Sequence, residues 1–237
     1  LWGLHKPLLG VVHLRPLPGA PRYKGTLEPV LNRALEDARA YLDAGLDGLV
    51  VENYGDAPFH PDRVGPETVA AMTRMAAAVR ELSDFPLGVN VLRSDGVAAL
   101  AVATAARAEF IRVNVLAGAM VTDQGIIQGR ADQVARARAA WASPVAVWAD
   151  LLVKHAQPVA PLEPGDGARD LVERALADAV IVTGSRTGTP VDGLDVGAVR
   201  NAVPKVPLII GSGVTPRALE TFWHLGDGFI VGTALKK

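Results

Sequence analysis

Side chains that could carry out acid–base chemistry stand at or just after the ends of successive apolar runs. The candidate catalytic residues are Glu52, Asp150, Lys154 and His13. A carboxylate such as Glu52 or Asp150 could act as a general base, with Lys154 or His13 as the acid, and this combination suits isomerisation, aldol cleavage and glycosidic-type hydrolysis equally well. A desolvated Lys154 could also serve as a base or an imine-forming amine, whereas a solvated one would have no such role.

A second set of polar residues at the same run ends predicts substrate contacts. Its members are amide, hydroxyl or charged side chains: Asn53, Asn90, Arg112, Asn114, Asp123 and Thr183. Arg112 lies deeper than Asn114 on one face of a strand, so it either pairs with a buried carboxylate, Glu52 or Asp150, or contacts the ligand. Asp123 and Asp56 lie in loops that either face the ligand or cap turns.

Two glycine turns near the C-terminal end predict a phosphate site. An apolar run leads into Gly211-Ser212-Gly213, and Thr215-Pro216 then signals the start of a helix. A second run ends in Gly232-Thr233. Backbone N–H groups in such turns can approach an anion closely, although glycine after a strand is also ordinary turn chemistry.

The elements that must position these residues alternate regularly along the chain. Eight apolar runs predict strands at 8–14, 48–53, 86–91, 110–115, 144–150, 179–183, 207–210 and 229–231, the fifth of which could continue to His155. Helical periodicity predicts helices at 26–44, where Thr26 would be the cap, and at 66–82, 95–107, 131–141, 168–177 and 195–203, besides the one after Thr215. We therefore predict a single α/β domain over 1–237, a (β/α)₈ barrel whose last helix is absent from the sequence, with its chemistry at the carboxyl ends of the strands.

Composition narrows the class of protein. A formal net charge of −1 with scattered basic residues does not favour nucleic acid or anionic lipid, and the absence of cysteine excludes disulfides and thiolate chemistry. No apolar run reaches the roughly 18 residues of a membrane span. We expect a cytoplasmic protein, with no cofactor, a divalent metal only as a lesser alternative, and a homo-oligomeric state.

Several long motifs resemble the BtpA family. They are 10–19 (GVVHLRPLPG), 51–59 (VENYGDAPF), 88–95 (GVNVLRSD), 110–125 (FIRVNVLAGAMVTDQG), 150–156 (DLLVKHA), 181–188 (IVTGSRTG), 211–216 (GSGVTP) and 227–233 (DGFIVGT). This resemblance covers nearly the whole chain. It implies a phosphate-binding (β/α)₈ barrel, and the family's founding association is with photosystem I biogenesis or stability.

The residues and the resemblance leave two functional classes open. The first is an enzyme for a small phosphorylated metabolite, a sugar phosphate or a nucleotide. The second is a non-catalytic assembly factor for a membrane complex, which needs no converging polar pocket. Some members of the family are labelled nucleoside triphosphatases, but no GxxxxGK[ST] stretch is present to support a P-loop mechanism.

Overall fold

The structure, a computed structural model, describes residues 1–184, 192–211 and 214–232. The strands in these ranges are β1 (Leu8–His13), β2 (Gly48–Glu52), β3 (Leu87–Asn90), β4 (Phe110–Val113), β5 (Ala119–Thr122), β6 (Gly125–Gln128), β7 (Ala146–Asp150), β8 (Ala156–Pro158), β9 (Ala179–Thr183), β10 (Leu208–Gly211) and β11 (Gly228–Val231). The α-helices are α1 (Glu28–Asp43), α2 (Pro66–Arg80), α3 (Gly96–Ala105), α4 (Ala131–Ala140), α5 (Pro164–Arg169), α6 (Gly193–Ala202) and α7 (Pro216–Phe222). A π-helical turn, Asp170–Arg174, continues α5.

Eight of the strands form a closed parallel barrel in the order β1-β11-β10-β9-β7-β4-β3-β2. Closure is made by β1, in which Leu9 pairs with Gly48 of β2 on one side and with Ile230 of β11 on the other. The barrel strands are short apolar runs that are buried along nearly their whole length, as expected for strands covered on both faces. The predicted (β/α)₈ fold class is confirmed, and the segment in which an eighth helix would begin lies outside the described residues.

Alternation along the strands separates two layers of core. Along each strand, every second side chain points into the barrel, and these side chains form a small cluster that includes Leu9, Val50, Phe110, Trp148 and Ile230. The side chains between them point outward and pack against the helices in a larger cluster that includes Val51, Val89 and Val182. Because side chains alternate across a strand, this pattern also determines which polar residues face the barrel axis at the carboxyl ends of the strands.

Aromatic rings close the amino-terminal end of the barrel. Phe110 and Trp148 stack with ring centroids 3.8 Å apart, and Trp2 stacks on Trp148 at 5.4 Å. Gly88 makes room for this stack, since a Cβ there would lie 2.3 Å from the ring of Phe110. The barrel interior is therefore filled at this end by aromatic side chains.

A three-stranded antiparallel sheet, in the order β6-β5-β8, lies beside the barrel. Its strands follow β4 and β7, and Met120 and Ile127 bury themselves with Val115 and Val153 in a small core of their own. The sequence predicted only a glycine-rich loop before α4, and this was wrong for 119–128. The possible extension of β7 to His155 was also wrong, because the strand ends at Asp150 and the chain then turns into β8.

The helix boundaries differ from the predictions by a few residues. Thr26 does not cap α1, whose N-cap is Leu27 with no side-chain hydrogen bond, and a proline at the first positions sets the start instead. Asp95 does cap α3, because its carboxylate accepts a hydrogen bond from the Ala98 N–H. Among the helices in the described ranges, none combines the length and apolar character needed to cross a bilayer.

Candidate functional site

The carboxyl ends of the barrel strands surround one large cavity of about 740 Å³. Of the predicted site residues, seven line it: His13, Glu52, Arg112, Asn114, Asp123, Lys154 and Gly232. Strand register explains how four distant segments meet, since His13 pairs with Glu52, Glu52 with Asn90, and Asn90 with Arg112. A volume of this size is in the range of about 300–1,000 Å³ that small-molecule sites occupy.

Glu52 is held at the end of β2 by its two neighbouring strands. The Asn90 side-chain amide donates to Oε2 at 2.7 Å, and Nε2 of His13 lies 3.6 Å from Oε1. The His13 ring in turn packs beside Tyr54 with centroids 4.5 Å apart. Glu52 is 7% exposed and lines the cavity, and the contacts with Asn90 and His13 hold its carboxylate in one orientation.

Arg112 and Asp150 form a buried bidentate ion pair across β4 and β7. Arg112 Nε and Nη2 donate to the two carboxylate oxygens at 3.0 and 2.9 Å, and Asn114 Nδ2 adds a third hydrogen bond to Asp150 at 2.8 Å. Burial acts to lower the pKa of Arg112, but the charge and hydrogen bonds of Asp150 outweigh it and the pKa is raised. Both oxygens of Asp150 are occupied, so the geometry makes Asp150 the residue that orients Arg112 and Asn114.

Two further cations, Lys154 and Arg93, stand in the cavity wall without a carboxylate partner among the described residues. Burial and the charge of Arg112 lower the pKa of Lys154, and the charges of Glu52 and Asp150 oppose this only in part. Arg93 Nη2 donates to the Lys154 backbone carbonyl, which joins the loops after β3 and β7. The wall is therefore richer in positive charge than its carboxylates neutralise, a field that attracts anions.

Asn53 and Asp56 brace the loops around the cavity from outside its wall. The Asn53 side chain accepts from the Leu92 N–H at 2.7 Å and donates to Asp56 at 3.0 Å, and Asp56 accepts from the Leu17 N–H at 2.8 Å. Burial raises the pKa of Asp56, while its hydrogen bonds from Leu17 and Asn53 act in the opposite direction. These contacts tie together the segments that follow β1, β2 and β3.

Thr183 and Gly211 have structural roles next to the cavity. The Thr183 hydroxyl donates to the Leu152 carbonyl at 2.6 Å, and a Cβ at Gly211 would lie 2.9 Å from Ile181, so a larger residue would not fit there. Gly232 is different, because it lines the cavity and a Cβ there would meet nothing nearer than His13 at 3.7 Å. The predicted site residues Ser212, Gly213 and Thr233 lie outside the described residues.

Two amide oxygens in this region have no hydrogen-bond partner among residues 1–184, 192–211 and 214–232. They are Oδ1 of Asn90 and Oδ1 of Asn114, both fully buried. An unpaired buried acceptor is costly in free energy, and such atoms are satisfied in most proteins. Asn114 is also one of the residues that line the cavity.

The family model for the BtpA family matches residues 4–237. The chain belongs to the BtpA family. This BtpA-family chain is 49% identical over 233 residues to an uncharacterised protein of Pyrococcus horikoshii, covering 98% of the chain and 88% of that relative. It is 43% identical over 233 residues to the photosystem I biogenesis protein BtpA of Synechocystis, covering 98% and 81%.

Solved structures similar to this BtpA-family barrel are barrel enzymes of low sequence identity. The N-acetylmannosamine-6-phosphate 2-epimerase of Clostridium perfringens gives a TM-score of 0.61 at 14% identity, with 97% of this chain and 87% of that one covered. Phosphoribosyl anthranilate isomerase of Thermus thermophilus gives 0.56 at 14% identity, with 98% and 89% covered. At these identities the likeness shows the fold alone.

Sequence reasoning missed Arg93 and Arg22, which also line the cavity of this BtpA-family barrel. Arg93 lies in the motif after β3, but an arginine three residues beyond a strand end reads as a solvated loop residue. Its burial results from the loop contacts with Lys154, which the sequence does not reveal. In the described part of the chain, no group of three or more His, Asp or Glu side chains is arranged to hold a metal ion.

Proposed function

We propose that this chain is an enzyme that binds a small phosphorylated metabolite in the carboxyl-end cavity and transfers a proton on it. The observation that carries the proposal is the presence of two titratable groups in one cavity wall: Glu52, which is oriented by Asn90, and Lys154, whose charge Glu52 influences. Such pairs in a cleft are typical of catalytic sites.

Charge supports an anionic ligand. Arg22, Arg93, Arg112 and Lys154 line the cavity with Glu52 and Asp123, and Asp150 forms its ion pair with Arg112. A phosphate would bind near the glycine turns that follow β10 and β11, where the backbone of Gly232 is open to the cavity. Binding energy from the phosphate end would then hold the reacting carbon against Glu52.

Glu52 is the proton acceptor in this proposal. Its carboxylate keeps one orientation because Asn90 donates to Oε2, so Oε1 presents a fixed lone pair to the ligand. Lys154 is the proton donor. Its pKa is lowered by burial and by Arg112, so its ammonium releases a proton more readily than a solvated lysine would. His13, beside Oε1, completes the acid–base set.

Asp150 has a positioning role in the proposal. Arg112 and Asn114 engage both of its oxygens, and the Asp150 side chain has no exposed surface at which a substrate proton could reach it. By fixing Arg112, it holds a cation beside Lys154, and this cation contributes to the lowered pKa of that lysine. Of the candidate bases in the sequence, Glu52 is therefore the better supported.

A thermal-shift screen tests the proposal. The purified protein is heated with phosphosugars, nucleotides and inorganic phosphate, with and without a divalent metal. A ligand at about 100 times its Kd should add roughly 2.7 kcal/mol of stability, which corresponds to a rise in Tm of about 5–11 °C for a chain of this size. No shift with any phosphorylated compound would contradict the proposal.

Proton transfer is then tested on the compound that binds. Incubation in deuterium oxide should exchange a carbon-bound hydrogen of the ligand, as followed by proton NMR. Glu52→Gln should bind the compound within about threefold of wild type and lose exchange by at least about a hundredfold. Asp47→Asn is the matched control, since Asp47 accepts the Leu8 N–H at 2.8 Å outside the cavity. Equal exchange by Glu52→Gln and wild type would refute the role of Glu52.

A second candidate is a non-catalytic role in assembling a membrane complex. The name of the Synechocystis relative, a photosystem I biogenesis protein, favours it. A scaffold does not need Glu52 and Lys154 in its cavity. Replacing both should therefore leave an assembly phenotype intact in a cell that depends on the protein, whereas the enzyme proposal predicts its loss.

A further inference from the structure

Arg93 is a buried cation whose hydrogen-bonding capacity is incompletely used. Its side chain is 8% exposed and lines the cavity. One terminal nitrogen donates to the Lys154 carbonyl, but Nε is fully buried with no hydrogen-bond partner. Within the described ranges, the guanidinium forms no ion pair, although Asp123, Asp150 and Glu52 act on it from a distance.

Arg112 is the natural comparison, since it is a second buried guanidinium at the same end of the barrel. Its Nε and Nη2 both donate to the carboxylate of Asp150. Burial lowers the pKa of Arg93, and the charge of Arg112 adds to this effect. A buried charge that lacks a partner destabilises a protein by several kcal/mol, so proteins keep one chiefly where a ligand supplies the opposite charge.

Lys154 is a second cation in the cavity wall that lacks a carboxylate partner among the described residues. Its backbone carbonyl receives the Arg93 hydrogen bond, its side chain lines the cavity, and no carboxylate of the described residues forms an ion pair with it. Two adjacent and uncompensated cations thus face one region of the cavity. A guanidinium beside an ammonium matches the geometry of a carboxylate or a phosphate group.

This region is distant from the proposed phosphate turns. Arg93 follows β3, and β10 lies four positions from β3 in the ring of eight strands, directly across the barrel. Lys154 follows β7, which is two positions from β10 and three from β11. A phosphate near Gly232 and an anion at Arg93 would therefore lie on different sides of the barrel mouth, as two anionic groups of one ligand can.

We propose that Arg93 and Lys154 form a second anion subsite, so that the substrate carries one anionic group at the β10 and β11 turns and another, a carboxylate or a second phosphate, at Arg93. The inference rests on the proposed function and narrows its substrate class to metabolites with two anionic ends. In the ligand complex, the Arg93 guanidinium and the Lys154 ammonium bind the second group.

Matched pairs of ligands test the subsite by calorimetric titration. Glucose 6-phosphate is compared with 6-phosphogluconate, which adds a carboxylate, and fructose 6-phosphate with fructose 1,6-bisphosphate, which adds a phosphate. Further monophosphates of four to six carbons are paired in the same way with their sugar acids and bisphosphates. We expect the two-anion member of a pair to bind at least about tenfold more tightly, the gain of one charge-assisted contact. The pair that shows the gain tells which kind of group binds.

Variants of Arg93 separate ligand binding from a purely structural role. Arg93→Met should weaken a two-anion ligand by about tenfold or more and leave the matched monophosphate within about twofold. Arg93→Lys keeps the charge and should recover part of the loss. Arg107→Met is the control for net charge, because Arg107 pairs with Glu81 on an exposed surface. Thermal unfolding of each variant verifies that it is folded.

The outcomes are distinguishable. If monophosphates bind but a second anionic group adds nothing, or if Arg93→Met weakens both members of a pair equally, the subsite is refuted while the proposed function stands. If no phosphorylated compound binds wild-type protein, the proposed function fails and the subsite with it. A gain for two-anion ligands that disappears in Arg93→Met and is retained in Arg107→Met supports both.

Discussion

Replacing Asp150 by Asn should destabilise the protein strongly, because it leaves Arg112 buried without its counter-charge. Asp150 and Arg112 are 2% and 6% exposed, and three hydrogen bonds of 2.8 to 3.0 Å meet on the carboxylate. Asn has nearly the same volume, so the change removes charge and turns one acceptor into a donor that faces Arg112. Breaking such a pair costs about 3–5 kcal/mol.

The loss of unfolding free energy can be measured by urea denaturation at neutral pH, and the accompanying fall in Tm by thermal unfolding. For a chain of this size, about 3–5 kcal/mol corresponds to a fall in Tm of roughly 6–20 °C. A double variant, Arg112→Met with Asp150→Leu, removes both charges and should recover most of the loss, since an apolar pair of similar volume often replaces a buried ion pair without penalty.

The same variants separate positioning from catalysis at Asp150. A general base exposed to substrate would lose activity without losing stability, whereas a buried positioning residue loses both. A Tm for Asp150→Asn within about 2 °C of wild type, which is less than 1 kcal/mol, would refute the reasoning that the pair is buried and mutually compensated. Asp178→Asn, at a half-exposed carboxylate paired with Arg138, is the surface comparison and should change the unfolding free energy far less.

Two further predictions concern residues in and beneath the cavity. Lys154→Met should raise the unfolding free energy at pH 7 by about 0.5–2 kcal/mol. The pKa of Lys154 is lowered from 10.5 in the folded chain, so between the lowered value and 10.5 the folded chain binds fewer protons than the unfolded chain. The stability of the wild type therefore rises with pH through this window. The advantage of the Lys154→Met variant should vanish above pH 10.5. An equal difference from wild type at pH 7 and above pH 10.5 in urea titrations would contradict the burial argument. Gly88→Ala should lower the unfolding free energy by about 1–3 kcal/mol, since its Cβ would lie 2.3 Å from the Phe110 ring, and an unchanged urea midpoint would show that the ring stack yields easily.

The barrel could be predicted from the sequence because parallel strands buried on both faces leave a simple signal. The run at 179–183 coincides with β9, and the other barrel runs end within two residues of their strands. Register then follows from closure, which brings His13, Glu52 and Asn90 side by side. The convergence of these polar residues was therefore predictable from their positions at strand ends.

The hairpin and the loop contacts were not predictable in this way. The segment 119–128 contains glycine at its turn and exposes Val121 and Ile126, so it lacks the clean alternation of a half-buried strand. The cost of burying an arginine indicated a carboxylate partner for Arg112, but choosing Asp150 over Glu52 required the neighbouring positions of β4 and β7. Arg93 became visible as a site residue only through its contact with the loop of Lys154.

The measurement that tests the central claim most directly is the affinity of wild type and Gly232→Ala for the metabolite that gives the largest thermal shift. Among the described residues, the added methyl group meets no atom nearer than 3.7 Å, so the unfolding free energy should stay within about 0.5 kcal/mol of wild type. It enters the cavity beside the backbone that would hold the phosphate, and calorimetric titration should show binding weakened by at least about tenfold. Unchanged affinity in a fully folded Gly232→Ala would contradict a phosphate site at this end of the barrel.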